Sequence, residues 1–266
     1  MLDGYLFIDV HCHLAPLRRG YYGLLGQTPE QLLERMDKNG VDYAVVFPMV
    51  HNAGLSLEEI KRANDYIIEA VNRYPQRFVG FCLTTPMYKE EAIKEIERCV
   101  KAGLRGIKLH PHIHGYYPID GEIMHPVMEA VREFKLVITV HTDINSKRCN
   151  PYQVVRLANA FPDVPIIMAH MGMDSDFVHF IPDLVKGIKN LFVDTSDTPN
   201  LPQFVYSIPS RVIPDQVLFG SDMPTLSVEV EICKLRVAEE FYGGLDPVGK
   251  RKLLGENAAR LLGIEI

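Results

Sequence analysis

The chain has 266 residues, of which 47% are hydrophobic and 23% are charged, and its formal net charge is −6. These fractions are typical of soluble globular proteins and exclude a disordered or fibrous chain. The acidic balance, without any run rich in Lys and Arg, argues against a nucleic-acid partner. No apolar run approaches the roughly 20 residues that a membrane-spanning helix needs.

Cysteine usage and the first residues of the chain indicate its compartment. The five cysteines are scattered, odd in number and without a Cys-x-x-Cys pair, so we expect free thiols rather than a disulfide framework. The N-terminus lacks the basic region and the apolar core of a signal peptide. Both features predict a cytoplasmic protein.

Short apolar runs rich in β-branched residues alternate with longer amphipathic segments along the chain. The runs predict eight strands, at Leu6–His11, Tyr43–Phe47, Phe78–Leu83, Gly106–His110, Val137–His141, Ile166–His170, Leu191–Asp194 and Val217–Gly220. The segments between them predict helices at Pro29–Lys38, Leu57–Arg73, Lys89–Lys101, Pro126–Phe134, Tyr152–Ala160, Phe177–Lys186, Leu201–Pro209 (a weak pattern) and Val228–Phe241. A last helix, Pro247–Leu262, is expected after Asp246, an N-cap followed by proline.

Eight strands, each followed by a helix, predict an α/β fold with a parallel sheet covered by helices. That number predicts closure into a (β/α)8 TIM barrel with an extra C-terminal helix. No linker or low-complexity segment interrupts the pattern, so residues 1–266 are expected to form a single domain. Enzymes of this fold place their chemistry at the carboxyl ends of the strands.

Ionisable side chains stand at the carboxyl ends of five predicted strands. His11 and His13 end the first strand on one face, because strand side chains alternate. The other strand ends carry Lys108 with His110, His141, His170 and Asp222. Imidazole and carboxylate ligands together suit zinc or a similar first-row divalent ion.

Three sequence runs resemble the amidohydrolase superfamily of metal-dependent barrel enzymes. They are Gly106 to Pro111, Phe219 to Asp222, and the closing Gly255 to Leu262. The resemblance is strongest to the amidohydrolase-related branch, which contains aminocarboxymuconate-semialdehyde and resorcylate decarboxylases and many uncharacterised TIM-barrel metal-dependent hydrolases. It extends from Asp9 to Leu262.

The resemblance implies roles for individual residues. His11, His13, His141 and Asp222 would be ligands of one divalent ion, zinc in the first place. Asp222 would also shuttle the proton of the metal-bound water, and His170 would stand beside that water. Lys108 would then remain an ammonium group that holds a substrate carboxylate or phosphate. If Lys108 is instead carboxylated, it would bridge two ions, with His170 on the second.

The sequence leaves two reactions open. The leading expectation is a hydrolase whose metal-activated water attacks an amide, lactone or ester bond of a small molecule. The alternative is a non-oxidative decarboxylase of an unsaturated or aromatic carboxylic acid, in which Lys108 or Arg148 would hold the departing carboxylate.

A barrel that binds ligand without turnover is disfavoured, because a buried imidazole and carboxylate cluster is costly without a metal. His110 and His51 are further substrate contacts, and the loops Leu14–Thr28 and Pro111–Gly121 are expected to set specificity. A homodimer is an open expectation.

Overall fold

The computed structural model describes residues 2–20, 23–50 and 54–265. Its strands are β1 Ile8–Gly20, β2 Gly23–Gln27, β3 Tyr43–Pro48, β4 Phe78–Leu83, β5 Gly106–Leu109, β6 Val137–Val140, β7 Ile166–Met168, β8 Leu191–Asp194 and β9 Val217–Leu218. Its α-helices are α1 Pro29–Asn39, α2 Leu57–Arg73, α3 Glu90–Lys101, α4 His125–Phe134, α5 Pro151–Ala160, α6 Ile181–Val185, α7 Ile208–Val212, α8 Val228–Phe241, α9 Pro247–Arg251 and α10 Asn257–Leu262. Short 3-10 or π turns accompany several of them.

Eight parallel strands close into a barrel. Neighbouring strands follow the order β1, β3, β4, β5, β6, β7, β8, β9, and each neighbouring pair is parallel. The circle closes because the Val10 amide donates to the Phe219 carbonyl at 2.9 Å and the Asp222 amide donates to the His11 carbonyl at 2.8 Å. The predicted (β/α)8 barrel and its extra C-terminal helix are confirmed.

The segment after the first strand differs from the prediction. β1 extends to Gly20 and pairs with β2 in an antiparallel ribbon, so residues 15–20 and 23–27 are strands where a loop was predicted. Two predicted helices, Phe177–Lys186 and Leu201–Pro209, are reduced to short turns followed by α6 and α7. A proline at the start of each of these five-residue helices lacks the amide that would continue the preceding turn.

Alternate strand residues fill the barrel interior. Val45 and Phe47 of β3 and Val79 and Phe81 of β4 belong to one buried cluster with apolar residues of the other strands. Leu262 of α10 belongs to the same cluster, so the C-terminal helix closes the barrel at the amino ends of the strands. The other end of the barrel, at the carboxyl ends of the strands, remains available for polar side chains. None of the helices in the described ranges has the length and apolar character needed to cross a bilayer.

Gly255 allows this closing helix to approach the barrel. A methyl group at Gly255 would lie 2.5 Å from the Leu6 carbonyl oxygen, a backbone atom that cannot rotate away. We expect Gly255→Ala to lower the free energy of unfolding by about 1–3 kcal/mol, since overpacking shifts the backbone. Urea unfolding of the variant measures this loss.

Gly249 provides the matched control in the same terminal segment. A methyl group at Gly249 would have Asp246 Oδ1 and the Ser210 carbonyl oxygen as its nearest atoms, both at 3.6 Å, which is ordinary contact. Gly249→Ala should therefore leave stability unchanged or raise it by up to about 1 kcal/mol. Equal losses for the two variants would contradict the close approach of Gly255 to Leu6.

Candidate metal centre

Three side chains from the two strands that close the barrel converge at its carboxyl end. Nε2 of His11 and Nε2 of His13 lie 3.2 and 3.0 Å from Oδ1 of Asp222. His11 is fully buried, while the side chains of His13 and Asp222 are 12% and 9% exposed. A divalent ion with bonds of about 2.0–2.1 Å holds neighbouring ligands roughly 3 Å apart, so this spacing fits one ion.

The local backbone explains why both histidines point inward. The register between β1 and β3 shifts between Asp9 and Cys12, and Oδ1 of the buried Asp9 accepts from the amides of His11 and Ser221 at 3.1 and 3.0 Å. Asp9 therefore ties the irregular part of β1 to the segment that precedes Asp222. Burial raises the pKa of Asp9 to about 6. Sequence reasoning did not assign Asp9 a role.

The ring orientations match those of metal-binding histidines. Nδ1–H of His11 donates to Oδ2 of Asp194 at 2.8 Å, and Nδ1–H of His13 donates to the Pro48 carbonyl at 3.3 Å. These partners select the tautomer in which both Nε2 lone pairs are available toward Asp222. Carboxylate or carbonyl partners on the remote nitrogen are typical of histidine ligands. The residues therefore fit a divalent metal.

Asp194 fixes the orientation of His11 through Nδ1, the ring nitrogen remote from Asp222. Its Oδ1 accepts from the amides of His170 and Ser196 at 3.0 and 3.1 Å and from the Ser196 hydroxyl at 2.5 Å, while Oδ2 binds His11. His11, His170 and Asp194 form a second group of candidate ligand atoms. Because the oxygens of Asp194 already accept these hydrogen bonds, we interpret that group as the support of His11. The position of Asp194 at the end of β8 is the sequence signal that could have identified this role.

We expect Asp194→Asn to weaken metal binding about 10–100-fold, because the amide no longer holds His11 in the tautomer that frees Nε2. Metal titration of the purified variant measures the change. Ser196→Ala is the control, since it removes a donor to Asp194 and a hydroxyl 3.1 Å from Nδ1 of His11 but leaves the carboxylate hydrogen bond between Asp194 and His11 in place. An unchanged affinity in Asp194→Asn would show that His11 does not depend on this carboxylate.

Burial and neighbouring imidazoles set the charge states at the cluster. Burial opposes ionisation of Asp222, but its contacts with His11 and His13 outweigh this effect and hold the pKa of Asp222 well below its usual range. Burial lowers the pKa of His13 to about 4. At neutral pH the cluster thus presents one carboxylate and an imidazole lone pair from His13, which is a donor set for a divalent cation.

Lys108 of β5 reaches the same cluster. Its Nζ lies 2.9 Å from Nε2 of His11, a contact that a metal bound at this nitrogen would replace, and 4.5 Å from the centre of the Phe47 ring. The residue is 3% exposed, and it forms no ion pair with a carboxylate of the residues that the structure describes. Burial lowers the pKa of Lys108 to about 8. The site thus contains a buried amine without a counter-ion in direct contact.

His170, His141 and His110 lie next to one another beside the cluster. The ring of His170 lies 4.7 Å from that of His11 and 4.9 Å from that of His141, which in turn stacks on His110 at 3.8 Å. Burial lowers the pKa of His170 to about 3. His141 does not belong to either group of converging ligand atoms among the described residues, so its role as a ligand stays a prediction. His51 lies outside the described residues.

A cavity of about 760 Å³ at the amino ends of the strands, lined by Phe78 and Arg105 among others, contains none of these groups. The candidate chemistry therefore lies at the opposite end of the barrel, as the fold predicts.

Comparison with known proteins identifies relatives of this arrangement. The chain is 23% identical over 150 residues to the 2-amino-3-carboxymuconate-6-semialdehyde decarboxylase of Dictyostelium discoideum, a match that spans 53% of this chain and 38% of that protein. Among solved structures, 5-carboxyvanillate decarboxylase from Sphingomonas paucimobilis is 20% identical with a TM-score of 0.77, over 98% of this chain and 100% of the other.

Dihydroxybenzoic acid decarboxylase from Polaromonas sp. JS666, solved with bound manganese and the inhibitor 2-nitroresorcinol, is 18% identical with a TM-score of 0.76, over 98% and 97% of the two chains. At these identities the solved structures establish the shared barrel fold. The sequence profile of the amidohydrolase family matches residues 8–264, which is nearly the whole chain. The chain therefore belongs to the amidohydrolase family and is an enzyme of that family.

Proposed function

We propose that this enzyme is a metal-dependent, non-oxidative decarboxylase of an unsaturated or aromatic carboxylic acid. The observation that carries the proposal is Lys108, a buried amine 2.9 Å from a metal-ligand candidate and without a carboxylate in direct contact among the described residues. A buried cation is costly unless an anion pairs with it. A substrate carboxylate placed beside Phe47 would supply that anion.

The proposed metal site takes one divalent ion. His11, His13 and Asp222 would hold it, and His141 is the proposed fourth ligand. Zinc suits this nitrogen and oxygen set, and the manganese bound to the Polaromonas relative makes manganese the second ion to test. When bound, the ion would polarise a substrate oxygen and stabilise the negative charge that develops during the reaction.

The side chains of the protein would then orient the substrate and transfer the proton. Lys108 would orient the carboxylate through its point charge, and the Phe47 ring would keep water from it. The carbon–carbon bond to the carboxylate breaks, carbon dioxide leaves, and the electron pair remains on the substrate carbon, which takes up one proton. Asp222 and His170 are the proposed proton-transfer residues. Nδ1–H of His170 donates to the Ser196 carbonyl, which leaves Nε2 to accept and release a proton.

Hydrolysis remains the second candidate, and a direct experiment separates the two. Decarboxylation is supported by the relatives named above, whereas the ligand candidates alone serve either reaction. The enzyme should be reconstituted with zinc or manganese and offered a panel of hydroxylated benzoates and unsaturated dicarboxylates, with a carboxylated lactone in parallel. Decarboxylation in D2O must release one carbon dioxide and place one deuterium on the product carbon. Turnover of the lactone alone, with oxygen incorporated from ¹⁸O-labelled water, would establish hydrolysis instead.

We further propose that residues 1–266 act as one domain on a small-molecule substrate, without nucleic acid, in the cytoplasm. All five cysteines carry free thiols, and four of them are buried, which supports a reducing compartment.

A further inference from the structure

The backbone after β7 lies in the left-handed region over four successive residues. The φ angles of His170, Met171, Gly172 and Met173 are 66°, 47°, 87° and 56°. In this conformation a Cβ atom approaches the following carbonyl oxygen, so of the four residues only the glycine adopts it without a steric cost. Such backbone persists where its surroundings hold it in place, and it is concentrated at functional sites. We call these four residues the left-handed turn.

The left-handed turn changes the direction in which His170 points. Ile167 of β7 belongs to the buried cluster inside the barrel, whereas Met168 belongs to the cluster that includes the buried faces of the helices. If the strand continued, alternation would send His170, like Met168, to the outer side of the barrel. Its ring instead lies 4.7 Å from the ring of His11 and 4.9 Å from that of His141. The turn therefore brings this imidazole to the metal centre.

The side chain of Thr142, the second residue after β6, binds the segment that forms the turn. Its buried hydroxyl donates to the Ala169 carbonyl and accepts from the Gly172 amide at 3.2 Å. The Ile144 amide donates to the Gly172 carbonyl at 2.9 Å. The chain after β6 thus contacts the backbone on both sides of His170, and Thr142 supplies a side-chain contact on each side.

A second side chain contacts the turn, but it also serves the metal ligands. Oδ1 of Asp194 accepts from the His170 amide at 3.0 Å, and Oδ2 of the same carboxylate binds His11. A change at Asp194 therefore disturbs His11 and the turn together. Among the described residues, the hydroxyl of Thr142 has both of its hydrogen bonds with the segment that contains the turn. A change at Thr142 tests the turn without removing a partner of His11.

We propose that Thr142 is a positioning residue, whose hydroxyl holds the left-handed turn and so keeps the ring of His170 at the metal centre. The placement of the ring does not depend on which reaction the site catalyses. Its use in proton transfer rests on the proposed function. The experiment therefore needs one readout for the position of the ring and another for its use.

The resonance of the His170 ring in nuclear magnetic resonance spectra reports its position in the full chain. The protein is labelled with ¹³C at Cε1 of its ten histidines and loaded with zinc, and the signal missing from His170→Gln identifies His170. We expect Thr142→Val to abolish the wild-type position of this signal, because valine keeps the shape of threonine but offers the Gly172 amide no acceptor. Thr142→Ser restores the hydroxyl and should return the signal to its wild-type position.

Thr85→Val is the matched control at another strand end. The hydroxyl of Thr85, a residue that is 4% exposed, donates to the His114 carbonyl at 2.7 Å and accepts from the Met87 amide at 3.5 Å. This variant also removes a buried hydroxyl that binds loop backbone, and it should leave the His170 signal in place. Loss of the His170 signal in Thr85→Val would overturn the specific role of Thr142.

The variants at Thr142 give the decisive outcomes. A wild-type His170 signal in folded Thr142→Val would overturn the proposal. If Thr142→Val does not fold, Thr142→Ala replaces it, because alanine removes the hydroxyl without placing a methyl group against the Ala169 carbonyl. A wild-type signal in folded Thr142→Ala would overturn the proposal in the same way.

Kinetics separate the position of the ring from its use. With a substrate identified by the panel described above, Thr142→Val should lower kcat by about 10²-fold, the lower end of a general acid–base contribution, and leave KM unchanged. Loss of the His170 signal together with this loss of kcat supports both positioning and proton transfer. Loss of the signal with an unchanged kcat would support Thr142 as the positioning residue and would remove His170 from the proposed proton transfer.

Discussion

Replacing Asp222 by asparagine is expected to remove metal binding and to lower turnover at least about 10³-fold. Asp222 supplies the carboxylate oxygen that lies within 3.2 Å of Nε2 of both His11 and His13. An amide retains the size of the side chain but loses the charge that a divalent cation requires. The same change removes the proposed proton-transfer group, whose contribution is of the order of 10²–10⁴-fold.

A thermal measurement separates metal loss from other defects. A metal that binds the folded state at about 100 times its dissociation constant stabilises a protein by about 2.7 kcal/mol, which raises the melting temperature. Wild type should show this shift on addition of zinc or manganese, and Asp222→Asn should show none. A variant that retains both the shift and the metal would remove Asp222 from the ligand set.

Asp197→Asn is the matched control for this experiment. Both aspartates have a positive φ, 46° at Asp197 and 60° at Asp222, a conformation that asparagine tolerates equally well. Asp197 is not a member of either group of converging ligand atoms. The Asp197→Asn variant should bind metal as the wild type does. A loss of metal binding in both variants would indicate a general effect of charge near the site.

The barrel could be predicted because its signals are local. Buried parallel strands are continuous apolar runs, and the helices between them are amphipathic, so β4, β8 and α2 have the predicted bounds. The ribbon formed by β1 and β2 could not be predicted in this way. The chain from Leu14 to Gln27 contains Pro16, two arginines and three glycines. Only the structure shows that β1 pairs with β2 in this segment.

The site could be predicted in part for the same reason. The rule that ionisable groups follow strand ends located His11, His13 and Asp222, and the structure brings them together. The hydrogen bond between Asp194 and His11 joins residues 183 positions apart, and no spacing in the sequence encodes it. His170 has a φ of 66°, outside the extended region, so strand alternation could not give the direction of its ring.

Replacing Lys108 by methionine is expected to leave one metal ion per chain and to lower decarboxylation by about 10³-fold. Methionine has a similar length and packs against Phe47, but it offers no charge to the substrate carboxylate. Truncating one member of a buried charge pair costs about 2–5 kcal/mol, which corresponds to roughly 30-fold to several thousandfold. Metal analysis and turnover should be measured on the same preparation.

The metal count decides what Lys108 is. If wild type and Lys108→Met both contain one ion, the side chain is an ammonium group, and added alkylamine should partly restore turnover in Lys108→Ala. If wild type contains two ions and the variant one, Lys108 is a carbamate bridge, and bicarbonate removal should lower the metal content of wild type. A neutral amine is needed for carboxylation, and the lowered pKa of about 8 makes that form accessible near neutral pH. The buried amine beside His11 therefore serves either role in principle, and the ratio of ions between the two proteins distinguishes an anchor for substrate from a ligand for metal.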